Sequence, residues 1–318
     1  MSGQRIVLFG ACGFIGSNLL KYWNLDNIFA PNLGEADLTR PDSLKQVLLP
    51  GDIVVNAAGY AEATDTSPRG LALFRAVNVD GVRNLAEACR SVGVAQLVHI
   101  SSVAAMGRWH ASNVTEDMMK PVCSPYAQSK LDGELILEGF REAFPVTIVR
   151  PTSVFGEGRG LAATLCKFVA RGTILLPAGG AALIPFTYVG NVAHAIKLTL
   201  GNPNCFGKTF IVGDAESYQL RTVVCELARA MNVNIRIVPI PASAAMIGAW
   251  FLERFAKLRR SKPLIDRSRV ETMTCSVSYS IEAIRSATGY EPPYSLQDAL
   301  QRIAAWYKSK VSNVQWPR

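Results

Sequence analysis

The chain has 318 residues, of which 49% are hydrophobic and 18% charged, with a formal net charge of +8. That composition can bury a large core, as one large α/β unit or as a domain with a smaller partner, and excludes a disordered chain. No run approaches the roughly 20 apolar residues that span a bilayer, and the chain enters a strand pattern at once without a signal-peptide arrangement, so a cytoplasmic protein is expected.

In chain order, Arg5-Ile-Val-Leu-Phe-Gly10 is a short apolar run ended by glycine, and Gly10-Ala-Cys-Gly13-Phe-Ile-Gly16 leads into a helix-spaced segment, Ser17 to Trp23. Strand, glycine turn and helix in that order suit a dinucleotide. Glycines let the backbone approach a pyrophosphate, and free N–H groups at the helix start favour its charge. Gly10, Gly13, Phe14, Ile15 and Gly16 are therefore cofactor-binding candidates, in the spacing G-x-x-G-x-x-G. The second strand region, Asn27 to Asn32, ends without the acid that holds the ribose of NAD and without the arginine that meets the phosphate of NADP. The cofactor is accordingly NAD or NADP.

Ile53 to Asn56, Leu97 to Ile100 and Thr147 to Val149 are short apolar runs of the kind buried on both faces of a sheet, with helices expected over Ala72 to Val92 and Gln128 to Phe144. Such alternation predicts a parallel sheet covered by helices, with ligands at the carboxyl ends of its strands. Tyr126 and Lys130 stand four residues apart, about one helical turn, which puts phenol and ammonium on one face. Ser124-Pro125 ahead of them reads as a helix start. A phenol titrates near pH ~10, so it serves as an acid or base at neutral pH only where a nearby positive charge favours phenolate, and Lys130 is placed to supply it.

The glycine turn and the Tyr-x-x-x-Lys pair together resemble the extended short-chain dehydrogenase/reductase family, epimerase/dehydratase and hydroxysteroid-dehydrogenase-like branches included. Further stretches match in order: Asp37-Leu38, Asn56-Ala-Ala-Gly59, Asn78-Val-Asp-Gly81, Ser101-Ser102 to Gly107, and Arg150-Pro-Thr-Ser-Val-Phe-Gly156. The resemblance implies a Rossmann-type doubly wound parallel α/β sheet with a smaller, interleaved C-terminal substrate domain. It implies cofactor contacts at Asp37, Leu38, Ala57, Ala58, Gly59, Asn78, Ser101, Lys130, Pro151 and Val154. Catalysis falls to Ser102, Tyr126 and Lys130, with Ser101 as fallback, and the substrate meets Ala104, Met106 and Phe186. Met106 stands where many members carry tyrosine, which would make that wall less polar.

After Pro151 the pattern loosens. Leu161 to Arg171, Asn191 to Leu200, Tyr218 to Met231 and Leu296 to Tyr307 read as helices, and Phe186 to Val189 and Thr209 to Val212 as strands returning to the sheet. The expected division is a dinucleotide-binding part at 1–155, with returning segments at about 185–213, and a substrate part at 156–184 and 214–318. Ile184 stands two residues before Phe186, where nucleotide-sugar enzymes of the family often carry arginine; Arg159, Arg171, Arg221 or Arg236 could replace it. The apolar stretch Ala242 to Leu252 reads as a lid, an interfacial helix or a buried helix, and the basic residues Arg254, Lys257, Arg259, Arg260, Lys262, Arg267 and Arg269 follow it.

The leading reading is an NAD(P)-dependent oxidoreductase interconverting a secondary alcohol and a ketone of an apolar or medium-sized, hydroxysteroid-like substrate. The alternatives are a nucleotide-sugar 4-epimerase or 4-keto-sugar reductase and, without catalysis, a dinucleotide-sensing protein. The family suggests a homodimer through the helices containing Asn78 and Tyr126. Seven cysteines and three histidines show no metal-type spacing, so no metal is expected. The basic cluster lacks aromatic interleaving and is read as a solvated face. Nucleic acid is not an expected partner, and peripheral membrane contact stays open.

Overall fold

The computed structural model describes residues 3–158, 160–259 and 265–311. The first five strands are β1 (Ile6–Phe9), β2 (Ile28–Phe29), β3 (Ile53–Asn56), β4 (Gln96–Ile100) and β5 (Val146–Pro151). Then come β6 (Ser153–Phe155), β7 (Thr173–Pro177), β8 (Leu183–Ile184), β9 (Phe186–Tyr188), β10 (Lys208–Val212), β11 (Tyr218–Gln219) and β12 (Arg236–Ile240). The helices of the first half are α1 (Phe14–Trp23), α2 (Pro41–Val47), α3 (Pro68–Leu73), α4 (Gly81–Val92) and α5 (Pro125–Glu138). Those of the second are α6 (Leu161–Val169), α7 (Val189–Thr199), α8 (Leu220–Met231), α9 (Ala242–Leu258), α10 (Arg267–Thr274), α11 (Glu282–Thr288) and α12 (Leu296–Val311).

Six strands form a parallel sheet in the order β2-β1-β3-β4-β5-β10. Strand residues alternate between two apolar layers, as a two-residue side-chain period requires. Val7, Phe9, Val54 and Ile148 face α2, α4 and α5, whereas Ile6, Leu8, Val55 and Val149 face α1, α7 and α11. Burial on both faces explains why these strands are nearly pure Val, Ile and Leu runs. A third apolar cluster joins α6, α8 and α12 to β7, β8 and β9.

The chain leaves β1 toward β2 on one side and resumes at β3 on the other. This opens a crevice at the carboxyl ends of β1 and β3, where ligands of such sheets bind.

Three expectations change. Phe186–Tyr188 does not return to the main sheet: β10 already occupies the free edge of β5 as far as Pro151, so β9 pairs with β6 instead, Ser153 opposite Phe186. The helix expected from Ala72 starts earlier, at Pro68, with the Ser67 hydroxyl accepting from the Gly70 N–H at 3.0 Å, and it passes through a π-helical stretch, Phe74–Asp80, before α4. The helix expected over Gln128 to Phe144 starts earlier, at Pro125, and ends earlier, at Glu138. No helix among the described residues is long and apolar enough to cross a membrane.

Candidate active site

Gly10 ends β1 with φ +81°, and a Cβ there would fall 2.4 Å from the Ala58 nitrogen, so only glycine lets the first loop lie this close to the loop after β3. A Cβ on Gly16 would sit 2.2 Å from the Gly10 carbonyl oxygen. Gly13 caps α1 without a side-chain hydrogen bond, which leaves its first N–H groups for an anion; Phe14 and Ile15 are the first helical residues. Across the crevice, Asn56 Oδ1 accepts from the Ala58 N–H at 3.1 Å and fixes the Ala57-Ala58-Gly59 loop. A side chain at Gly59 would meet both Asn78 Oδ1 and Lys130 Nζ at 3.2 Å. Ser101 Oγ, at the end of β4, is buried without a partner. A cradle that a side chain would fill, an uncapped helix start and an orphaned hydroxyl suit a bound dinucleotide. Leu38 is different: its side chain is buried in the apolar layer with α2 and α4, while Asp37 accepts from the Thr39 N–H at 2.9 Å and its hydroxyl at 2.8 Å.

Ser124 accepts from the Ala127 N–H at 3.1 Å and Pro125 occupies the first turn, so α5 begins where the sequence indicates. Tyr126 and Ser102 border one cavity. Burial pushes the phenol above its usual range, and the neighbouring Ser102 hydroxyl partly opposes this. The Lys130 ammonium donates to the Ile100 carbonyl at 3.0 Å. Burial lowers Lys130 itself from 10.5 to about 8, with Glu134 acting in the other direction. One turn further along α5, Glu134 forms a buried ion pair with Arg150, the Nη2–Oε2 distance being 2.7 Å, which ties α5 to β5. His99, whose Nδ1 is 3.1 Å from Asn56 Nδ2, is held neutral by burial and by Lys130, its pKa down at about 3.

The cavity holds about 430 Å3. Ala104 lines it, but Met106 does not: Met106 is fully buried against Val114 and Ile211, because the tight turn that closes at Gly107 rotates it inward. Phe186 is also core, stacked edge-on to Phe155 at 5.7 Å, and the neighbouring Ile184 and Pro185 form the wall instead. Pro151 ends β5, and the next residues, Thr152 and Ser153, reach the cavity, whereas Val154 packs between apolar layers. Sequence reasoning missed the opposite wall, which comes from Trp109, Ser268, Thr272, Cys275 and Tyr279. It also missed Arg108, which pairs with Glu271 and donates to Ser268 Oγ at 3.0 Å, strapping α10 over the cavity. Among the described residues Arg171, Arg221 and Arg236 do not line this cavity, and Arg159 lies outside them.

A model of the NAD-dependent epimerase/dehydratase family matches residues 6–213. An N-acetyl-alpha-D-glucosaminyl-diphospho-ditrans,octacis-undecaprenol 4-epimerase of Escherichia coli O157:H7 is 28% identical over 315 residues, covering 94% of each chain. A 3beta-hydroxysteroid-dehydrogenase/decarboxylase of Arabidopsis thaliana is 28% identical over 263 residues, 76% of this chain and 60% of that one. Among solved structures, RMD from Pseudomonas aeruginosa complexed with NADPH superposes with a TM-score of 0.76 at 22% identity, covering 96% of this chain and 100% of that one. UDP-glucuronic acid 4-epimerase from Bacillus cereus in complex with NAD superposes with a TM-score of 0.74 at 18% identity, covering 98% and 99%.

Proposed function

The chain belongs to the NAD-dependent epimerase/dehydratase family, within the extended short-chain dehydrogenases/reductases, and is an enzyme using NAD or NADP; from this premise we propose that it interconverts a secondary alcohol and a ketone by hydride transfer. The observation that carries the reading is that Tyr126 and Ser102 line one cavity, with the Lys130 ammonium close by, beside Gly59 and Asn78. When bound, the nicotinamide accepts or supplies hydride. The glycine turn, the start of α1, Ser101, Asn78 and Lys130 would hold the dinucleotide. Ser102 donates to the substrate oxygen and orients it, while the Tyr126 hydroxyl gives or takes the proton on that same oxygen. Lys130, once a polar partner draws it from the Ile100 carbonyl, favours phenolate by its charge.

The substrate we favour is an apolar or medium-sized hydroxy or keto compound. The walls supplied by Val103, Trp109, Ile184, Pro185 and Val277 support it, as does the match to a hydroxysteroid dehydrogenase. A second reading, epimerisation or reduction at a sugar ring, is favoured by the 4-epimerase match over nearly the whole of both chains. A thermal-shift screen with cofactor separates them: micromolar stabilisation by UDP, GDP or dTDP decides for the sugar. Tyr126→Phe should keep cofactor affinity and lower turnover by about a hundredfold or more. Unchanged turnover removes Tyr126 from the mechanism.

The same reading divides the chain into a dinucleotide-binding part at 1–155 with segments at about 185–213, and a substrate part at 156–184 and 214–318. It also proposes a cytoplasmic homodimer joined through the helices containing Asn78 and Tyr126, where Leu135 of α5 is exposed. Light scattering after gel filtration tests the dimer, and a monomer at micromolar concentration rejects it.

A further inference from the structure

Helix α9 inverts the usual arrangement of an amphipathic surface helix, which buries its large apolar residues. Its inward face is small, with Ala245, Ala249 and Ala256 buried, while Ile247, Phe251, Phe255 and Leu258 form one outward stripe, 59%, 61%, 51% and 82% exposed. Trp250 extends the stripe on one side. Two exposed guanidinium groups lie over its aromatic rings, Arg254 over Trp250 at 5.4 Å and Arg259 over Phe255 at 4.3 Å. The acid of the helix, Glu253, is paired with Arg267 at 3.0 Å, so the face is apolar and positive. Arg260, Lys262 and the side chain of Lys257 lie outside the described residues.

Along the same helix, exposed Ala244, Gly248 and Leu252 rim a second cavity of about 370 Å3, walled by Phe168, Ile174 and other apolar residues. Helix α10 divides it from the catalytic cavity: Ser268 and Thr272 face one, Val270 and Met273 the other.

We propose that α9 is a docking face for an anionic lipid bilayer. Large apolar side chains enter the acyl boundary while arginines on long stems stay at the phosphates, and the apolar cavity beneath gives hydrocarbon chains a place beside the helix. A second copy of this chain fits less well, because it would bring like guanidinium groups together. The proposal does not depend on the hydride chemistry.

The test is flotation of the full chain with phosphatidylcholine vesicles containing roughly 30 mol% phosphatidylglycerol, compared with phosphatidylcholine alone and with high salt. The wild type floats with the anionic vesicles. The bound fraction drops about tenfold on neutral vesicles, in high salt, and for Phe251→Ser/Phe255→Ser/Leu258→Ser, whose exposed positions leave thermal unfolding unchanged. Tyr126→Phe floats like the wild type, so failure of the catalytic reading is distinguishable. Wild type that stays at the bottom overturns the proposal, as does a triple variant that floats equally. A triple variant that merely turns a wild-type dimer into a monomer assigns the face to a second copy and overturns it too.

Discussion

Replacing Lys130 by methionine isolates the cost of burying an ammonium. In the native state Nζ donates to the Ile100 carbonyl at 3.0 Å, and burial lowers its pKa from 10.5 to about 8. A depression of that size corresponds to about 3 kcal/mol of lost stability where both states are protonated, at pH values below the native pKa. The unfolded chain holds the proton up to its ordinary pKa of 10.5, whereas the native protein releases it from about 8. Between those values unfolding takes up a proton, so wild-type stability rises with pH and the penalty is gone above the upper limit. Methionine removes this dependence but orphans the Ile100 carbonyl, at a pH-independent cost of about 1–3 kcal/mol. The difference between the two proteins therefore carries the prediction: from pH ~7.5 to ~10 the wild type gains about 2 kcal/mol on Lys130→Met. Equilibrium urea unfolding followed by circular dichroism at the two pH values measures it, and groups common to both proteins cancel. A difference that stays constant with pH would mean that the ammonium is not desolvated, and the reasoning from its burial would fail.

Gly10→Ala places a methyl group 2.4 Å from the Ala58 nitrogen on backbone of positive φ, so it should destabilise the crevice and cost at least about tenfold in cofactor affinity by fluorescence titration; wild-type affinity would show that the two loops can separate freely. Glu134→Gln leaves Arg150 buried without its countercharge and should cost about 3–5 kcal/mol, whereas Glu134→Leu/Arg150→Met recovers most of the loss. Urea midpoints of the three proteins check this, and a neutral single variant would refute it.

The features legible in the sequence are those carried by neighbours along the chain. The glycine turn, the apolar strands and the turn of helix between Tyr126 and Lys130 each depend on residues a few positions apart, and each forms where the residues indicate. What escaped depends on distant partners. Arg108 meets Glu271 across 163 positions, and the far cavity wall arrives from the segment around α10. Met106 and Phe186 lie in motif positions, but a tight turn and a strand pairing, neither visible in residue type, decide which way they face. The direction of Lys130 was hidden for a related reason, since the carbonyl that captures it belongs to a strand thirty residues earlier.

The π-helical stretch Phe74–Asp80 has a consequence for how this chain can change. Its hydrogen bonds close over one residue more than α-helical bonds do, so one residue there is surplus to the regular count. Asn78 sits inside it, its amide donating to the Tyr60 carbonyl and Ser129 Oγ, both at 2.9 Å, and its oxygen accepting from the Tyr60 N–H at 2.8 Å. The surplus lets the two halves of the long helix run out of phase, the front serving the Gly59-Tyr60 loop and the back keeping Val82, Leu85 and Cys89 against the sheet. Deleting any one residue here would make a more regular coil, yet would swing one half against the other by about 100°. Point substitutions on the solvent side are tolerable by comparison: in this stretch it is the tally of residues, more than their identity, that selection has to guard.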